Sequence, residues 1–162
     1  MSLTPAQENT LETYLVTTAA PEFDDEIAAF DDQLIADAMN TAASPSFWVW
    51  KTVLLPADYR AIIVWTEVDA LTVAKARIFE WMTGLLTQPL NPSDLNQRQG
   101  IADTFGAGAT TRTNLLTLGR RLATRAEKLF ATGTGSTASP ATMAFEGQLS
   151  YVDIARTFGR GL

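Results

Sequence analysis

Residues 127–147 have the sequence EKLFATGTGSTASPATMAFEG, and the placement of this stretch decides the fold of the C-terminal third of the chain. Its two glycines in a threonine-rich turn suggest a phosphate-binding loop at first. Such a loop, however, places its glycines before a helix that starts with Lys and Ser or Thr. Here the glycines follow an apparent helix end, and after Lys128 no basic residue comes before Arg156. A helix C-terminus also carries the wrong end of the dipole for an anion. We therefore expect no phosphate site.

An uncharged run rich in Thr, Ser, Gly and Ala remains at residues 131–145. A free chain of this composition is a flexible linker, whereas the same chain held by a neighbouring subunit is an ordered arm. Met143, Phe145 and Tyr151, together with Leu149, lie at intervals that are multiples of two residues, which suits a short strand or an extended docking segment. We predict an arm over residues 131–158 that Met143, Phe145 and Tyr151 anchor on a partner. The alternative is an exposed loop that returns to its own domain.

Apolar residues recur at helical spacing through most of the remaining chain, for example within residues 23–38 and 70–86. The sequence TRTNLLTLGRRLATRAEKLFA at residues 111–131 predicts one long helix, and Ser150 to Asp153 resembles a capping box for a short final helix. The predicted fold is mainly α: a small helical bundle of five or six helices, with an extended C-terminal arm and little strand.

Three segments follow from this pattern. Residues 1–44 form an acidic N-terminal helical segment, residues 45–131 a helical core, and residues 132–162 the extended arm and C-terminal docking segment. Thr4 followed by Pro5 predicts the start of the first helix, because a capping hydroxyl and a proline at the first helical position favour helix initiation.

The four tryptophans divide into two pairs. Trp65 and Trp81 lie at helical spacing, and Trp81 shares a predicted buried stripe with Leu71, Ala74, Ile78 and Leu85. We expect this stripe and both of these tryptophans in the core. Trp48 and Trp50 lie outside a regular helix, and either the core or a partner interface suits them, because tryptophan is favoured at interface hot spots.

Charge is divided unevenly along the chain, whose net charge is −6. Residues 1–44 contain nine acidic residues and no Lys or Arg, whereas residues 45–162 contain nine acidic and twelve basic residues, a net charge of +3. This split predicts an acidic and a basic face. The two faces attract each other either within one fold or between copies, and in the second case they build rings or filaments. The residues concerned are Asp24, Asp25, Asp31 and Asp32 on the acidic side and Arg121, Arg125 and Lys128 on the basic side.

Catalytic and metal chemistry are poorly supported by the composition. The chain has no histidine and no cysteine, which removes Ser-His and Cys-His nucleophile pairs and the usual zinc and iron ligands. The aspartate pairs lack the alternating ligands and central glycine of a calcium loop. We expect no enzyme, no catalytic residue, no metal and no cofactor. The chain also lacks a long apolar run and a signal-peptide pattern, so we expect neither a membrane span nor secretion.

Three segments resemble a family of small virion structural proteins of tailed bacteriophages: SPSFWVWKT (44–52), IVWTEVDALTVAKARIFEWM (63–82) and above all RLATRAEKLFATGTGSTASPATMAFEGQLSYVDI (121–154). The resemblance covers most of the chain from about residue 31 onward. Size and helical character are similar to those of head–tail adaptor, or connector, proteins of long-tailed phages. Those proteins form rings of about a dozen copies beneath the portal.

The resemblance implies a protein made in the host cytoplasm and located in the virion, at the head–tail junction. Its implied partners are further copies of itself, the portal protein, and a downstream tail or stopper protein, with DNA passing through the ring without sequence-specific binding. The N-terminal acids Asp24, Asp25, Asp31 and Asp32 then suggest an acidic channel face along which DNA slides. Two alternatives stay open: a tail terminator or other head-completion protein, and an acidic monomeric regulatory protein that binds a basic partner.

Overall fold

The computed structural model describes residues 3–160 and shows a mainly α fold with two small antiparallel strand pairs. Within these residues, the ten α-helices are α1 (Pro5–Thr13), α2 (Asp24–Ala29), α3 (Asp32–Met39), α4 (Pro56–Arg60), α5 (Trp65–Asp69), α6 (Val73–Thr83), α7 (Leu95–Thr104), α8 (Thr110–Leu118), α9 (Arg125–Leu129) and α10 (Tyr151–Thr157). A π-helical turn, Tyr14–Thr18, follows α1. Strand β1 (Trp48–Trp50) pairs with β2 (Arg120–Leu122), and β3 (Ala131–Thr132) pairs with β4 (Thr142–Met143).

The prediction of five or six helices is wrong, because several predicted helices are interrupted. The helix expected over residues 23–38 ends at Phe30, whose φ of 58° is left-handed, and α3 begins after a new cap at Asp31. The single helix expected over residues 111–131 is divided into α8, β2 and α9. Its periodicity continues across the break, but Thr124 starts α9 afresh with a capping box.

Two compact units make up the chain. One combines residues 3–48 with residues 122–160, and the other is Val49–Arg121. The predicted boundaries at residues 44/45 and 131/132 therefore do not coincide with the units, because the C-terminal third joins the N-terminal segment. Positions 1–2 and 161–162 of the predicted segments lie outside the described residues.

The first unit has its own apolar core, to which α1, α3, α9 and α10 all contribute. Its larger buried side chains are Leu11, Leu15, Phe23, Ile35, Met39, Phe130, Phe145, Leu149 and Ile154. The starts of α1 and α10 are confirmed: Thr4 caps α1 ahead of Pro5, and Ser150 caps α10. Asn40 donates to the carbonyl of Leu149 and accepts from its N–H, both at 2.8 Å, so the chain before α10 is tied to the end of α3.

The prediction that residues 131–158 form an extended arm is wrong. Phe145 is only 3% exposed and lies in the core of the first unit, with its ring 5.6 Å from that of Phe130. Strands β3 and β4 form a short antiparallel hairpin in which Ala131 faces Met143. The uncharged segment therefore packs on its own unit, with Ala141 and Phe145 buried there.

The loop between β3 and β4 is hydrogen-bonded to the first residue of β1. The N–H of Trp48 donates to the carbonyl of Gly135 at 2.7 Å, and the carbonyl of Trp48 accepts from the N–H of Ala141 at 2.9 Å. Gly135 is required here, because its φ is 64° and an added Cβ would lie 2.1 Å from the ring of Phe47.

The second unit has a separate core beneath α4, α6, α7 and α8. Its buried residues are Leu54, Tyr59, Ile63, Phe79, Leu90, Ile101, Phe105 and Leu115. Phe79 meets Phe105 edge to face, with ring centroids 5.3 Å apart. None of the helices within residues 3–160 combines the length and the apolar character needed to cross a bilayer.

Candidate docking surface on helix α6

Helix α6 exposes large apolar side chains on the side that faces away from the core of its unit. Trp81 is 81% exposed, Val73 80% and Leu85 71%, while Ile78 is nearly half exposed. The prediction of a buried stripe is therefore wrong for Ala74, Ile78, Trp81 and Leu85. Leu71, the first residue of that stripe, does pack against the core. Trp65 on α5 is also exposed, contrary to the same prediction. Apolar side chains are normally buried away from water, so an exposed set of this size is a candidate interaction surface.

The error has a physical cause, because α6 carries apolar residues on two sides. Phe79 and Met82 pack into the core, and the buried Thr83 continues the same face. Ile78 and Trp81 occupy the other side at the same helical period. Periodicity alone cannot tell which of two apolar stripes is buried.

Arg77 lies in the middle of this exposed side. Val73, Arg77 and Trp81 follow one another at intervals of four residues, so their side chains stand in one row on the helix surface. The guanidinium of Arg77 has no ion pair or hydrogen-bond partner among residues 3–160. We call Val73, Arg77, Ile78, Trp81 and Leu85 the α6 surface.

A strained turn places Leu85 next to the end of α6. Gly84, Leu85 and Leu86 all have left-handed φ angles, of 53°, 55° and 65°. For residues other than glycine this conformation costs roughly 1–2 kcal/mol. The N–H of Leu85 donates to the carbonyl of Glu80 at 3.0 Å, which continues the last turn of the helix. The strained backbone thus places a solvent-exposed leucine directly after the C-cap of α6.

Buried polar groups hold this turn from below. The N–H of Gln88 donates to the carbonyl of Thr83 at 3.0 Å, and the hydroxyl of Tyr59 donates to the carbonyl of Gln88 at 2.7 Å. Thr83 and Tyr59 are both fully buried, and burial raises the pKa of the Tyr59 hydroxyl. The turn is therefore anchored to the core. Above it, Glu80, Trp81, Gly84 and Leu85 line a shallow groove of about 700 Å³.

Replacing Leu85 with glycine tests whether this turn stores strain. We expect Leu85→Gly to raise the free energy of unfolding by about 0.5 kcal/mol, because the strain removed exceeds the backbone entropy that glycine adds to the unfolded state. Urea denaturation measures the change. The control is Leu95→Gly, which changes an equally exposed leucine at the start of α7 and should lower stability. A loss of more than 1 kcal/mol for Leu85→Gly would contradict a strained turn.

Trp48 and Trp50, the two tryptophans predicted as candidates for a partner interface, are half-buried. The guanidinium of Arg98 stacks on the ring of Trp50, with 4.8 Å between Cζ and the ring centroid. Trp48 is fixed through its backbone to Gly135 and Ala141. Both tryptophans thus have roles within the fold.

The predicted basic residues do not form one stripe, because the helix that would align them is interrupted. Arg121 lies in β2 and is half-buried. Arg125 donates two hydrogen bonds to Glu22, at 2.6 and 2.7 Å, and the Lys128 ammonium lies 5.8 Å from the ring centroid of Phe47. Arg125 therefore pairs with an acidic residue of its own chain, Glu22, and not with one of another copy.

The ion pair between Glu22 and Arg125 gives a pH dependence. Hydrogen bonds from Arg125 lower the pKa of Glu22, so the pair stabilises the fold above the unfolded pKa of about 4.3 and is lost as the pH falls through the lower, folded pKa. The Glu22 side chain is half exposed, which keeps the contribution small.

We therefore expect Glu22→Gln to lose less stability than the unmodified protein between about pH 5 and pH 3. Urea denaturation at several pH values measures this difference. Glu12→Gln, which removes an exposed carboxylate of α1, is the control and should follow the unmodified protein. Parallel curves for Glu22→Gln and the unmodified protein would show that the pair contributes nothing.

The three predicted anchors of the arm are separated by the fold. Phe145 is buried, Met143 in β4 is half-buried, and Tyr151 at the start of α10 is about half exposed. Only Tyr151 offers a large part of its surface to a partner.

The four acids predicted to line a channel have different roles. Asp31 caps α3 by accepting from the N–H of Leu34 at 3.1 Å, and Asp32 forms an ion pair with Arg160. Asp24 and Asp25 on α2 are exposed and have no ion pair with residues 3–160. Two of the four carboxylates are therefore available to a partner.

The α6 surface offers apolar contact area and one cation, with a rigid support beneath it. Within the described part of the chain, no group of three or more His, Cys, Asp or Glu side chains is placed to hold a metal ion. Sequence reasoning missed Arg77 as a site residue, although its position between Val73 and Trp81 in one helical row was a usable signal. Comparisons with protein-family models, with curated proteins and with solved structures find no match for this chain.

Proposed function

We propose that this chain is a non-enzymatic subunit of a tailed-phage virion and acts as a head–tail connector. Copies of it form a ring of about twelve subunits that joins the capsid portal to the tail and surrounds the passage for DNA. The proposal takes its location from the sequence resemblance in residues 44–52, 63–82 and 121–154. It takes its mode of action from the α6 surface.

The observation that carries the proposal is the exposure of Trp81 beside Arg77 and Leu85 on a supported helix end. Tryptophan and arginine are the residue types most enriched at interface hot spots. Burying a side chain of tryptophan's size is worth about 2–4 kcal/mol. A rigid surface also loses little conformational entropy when it binds. These properties suit a subunit whose work is to bind its neighbours.

The structure changes which part of the chain is proposed to bind. Residues 131–158 pack within their own unit, which favours a different surface for the contact between subunits. The α6 surface of the second unit takes this role. The net charge of −6 favours passage of DNA without adhesion, because like charges repel the phosphate backbone.

Electron microscopy of intact phage particles tests the proposal. We expect density for this chain at the vertex, between portal and tail, and we expect the purified chain to bind purified portal rings. Binding to the tail tube instead of the portal would favour a tail terminator. Absence from particles, together with a soluble monomer that binds a basic partner, would favour the regulatory alternative.

A further inference from the structure

We propose that the α6 surface of one copy binds helix α2 of a second copy of this chain. The inference rests on the proposed function, because it identifies the contact between neighbouring subunits of the proposed ring. It requires two different surfaces on each copy, because a contact that joins unlike surfaces head to tail is the kind that generates rings.

Helix α2 carries exposed carboxylates, which are the natural partners for the cation of the α6 surface. Its exposed side carries Asp24 and Asp25, followed by Ala28 and then Phe30 at its end. Both aspartates lack ion-pair partners among residues 3–160, as Arg77 does. The two surfaces are therefore complementary. The cation of Arg77 can pair with the carboxylates of Asp24 and Asp25, and the apolar residues around Arg77 can pack on Phe30.

Phe30 is held on the surface in the same manner as Leu85. It is 69% exposed and has a left-handed φ of 58°. The guanidinium of Arg160 lies 4.3 Å from its ring centroid and supports one face of the ring. The other face is available to a partner, and the exposed Leu34 of α3 follows four residues later in the sequence.

The spacing along the two helices agrees when they lie parallel. Along the axis of α2, Asp25 and Ala29 are about 6 Å apart, and Phe30 directly follows Ala29. Arg77 and Trp81 are also about 6 Å apart along the axis of α6. With Asp25 next to Arg77, the ring of Phe30 reaches Trp81, and Ala28 leaves room for close approach of the helices.

Glu80 selects this direction over the reverse. It is exposed and lies one turn nearer than Arg77 to the end of α6. In an antiparallel arrangement the carboxylates of α2 would lie against Glu80, and like charges would repel. In the parallel arrangement they lie beside Arg77, on the N-terminal side of Glu80, and α2 continues past Glu80 with uncharged residues.

Site-specific cross-linking tests the contact, because the chain has no cysteine of its own. Two differently tagged versions, Ala28→Cys and Ile78→Cys, are incorporated together into phage particles and treated with a short bismaleimide. We expect a cross-linked dimer that carries both tags, at least about tenfold above the yield for Ala28→Cys with Ala107→Cys, an exposed loop position of the second unit.

Charge reversal then identifies the ion pair. Arg77→Glu in the Ile78→Cys version should lower the yield about tenfold, and Asp25→Arg in the Ala28→Cys version should restore most of it. Both side chains are exposed, so neither change disturbs a core.

The outcomes separate this inference from the proposed function. If the chain is present in particles but Ile78→Cys cross-links to the portal or to a tail protein, the inference is wrong while the connector role stands. If neither cysteine cross-links to any protein in particles that contain the chain, the inference is also wrong. If the chain is absent from particles and remains monomeric, both proposals fail.

Discussion

Phe145→Ala is expected to lower the free energy of unfolding by about 3–5 kcal/mol, because it leaves a large cavity in the core of the first unit. Phe145 is 3% exposed and meets Phe130 edge to face, so the substitution removes both apolar burial and an aromatic pair. Urea or thermal denaturation measures the loss. The result decides whether the C-terminal segment is part of the core or an arm that needs a partner.

The matched control is Tyr151→Ala, which truncates an exposed aromatic residue of the same segment. It should change stability by less than about 1 kcal/mol. If Phe145→Ala behaves like Tyr151→Ala, the segment does not hold the first unit together, and the original arm prediction regains its basis.

Trp81→Ala is expected to differ from Phe145→Ala: it should strongly reduce assembly and hardly change the free energy of unfolding. Truncation of an interface hot spot costs 2 kcal/mol or more, so we expect incorporation into particles, or binding to the assembled ring, to fall by about 30-fold or more. The free energy of unfolding should change by no more than about 0.5 kcal/mol, because the side chain is 81% exposed. Quantitative mass spectrometry of purified particles measures the incorporation.

Leu95→Ala serves as the control for Trp81→Ala. Leu95 is also a largely exposed apolar residue of the second unit, but it lies outside the α6 surface. Its truncation should leave incorporation unchanged. Equal incorporation of the Trp81→Ala and Leu95→Ala variants would show that exposure of Trp81 is incidental.

Local signals in the sequence predicted local features well. Thr4 with Pro5 marked the start of α1, and Ser150 with Asp153 marked α10, because capping depends on residues that are close in sequence. The mainly α character also followed from apolar periodicity. The breaks at Phe30 and near Gly119 were missed because the same periodicity runs across them.

Tertiary placement was less accessible from the sequence. Trp81 and Phe79 lie on opposite sides of α6, and only the packing of Phe79 on Phe105 determines which side is buried. The uncharged segment before Phe145 suggested an arm because its composition is that of a linker. Its placement depends instead on pairing between β3 and β4 and on contacts with the distant N-terminal helices.

The candidate site was predicted only in part. Asp24, Asp25, Trp81 and Leu85 were all singled out from the sequence, but the first two were assigned to a channel and the last two to the core. Their exposure together with that of Arg77 and Phe30 became visible only in three dimensions.

The most direct measurement is a map of the assembled head–tail junction at a resolution that shows side chains. We predict that another polypeptide lies within about 4 Å of the indole of Trp81 in every subunit. A map in which Trp81 and Leu85 face solvent around the whole assembly would contradict the role given to helix α6.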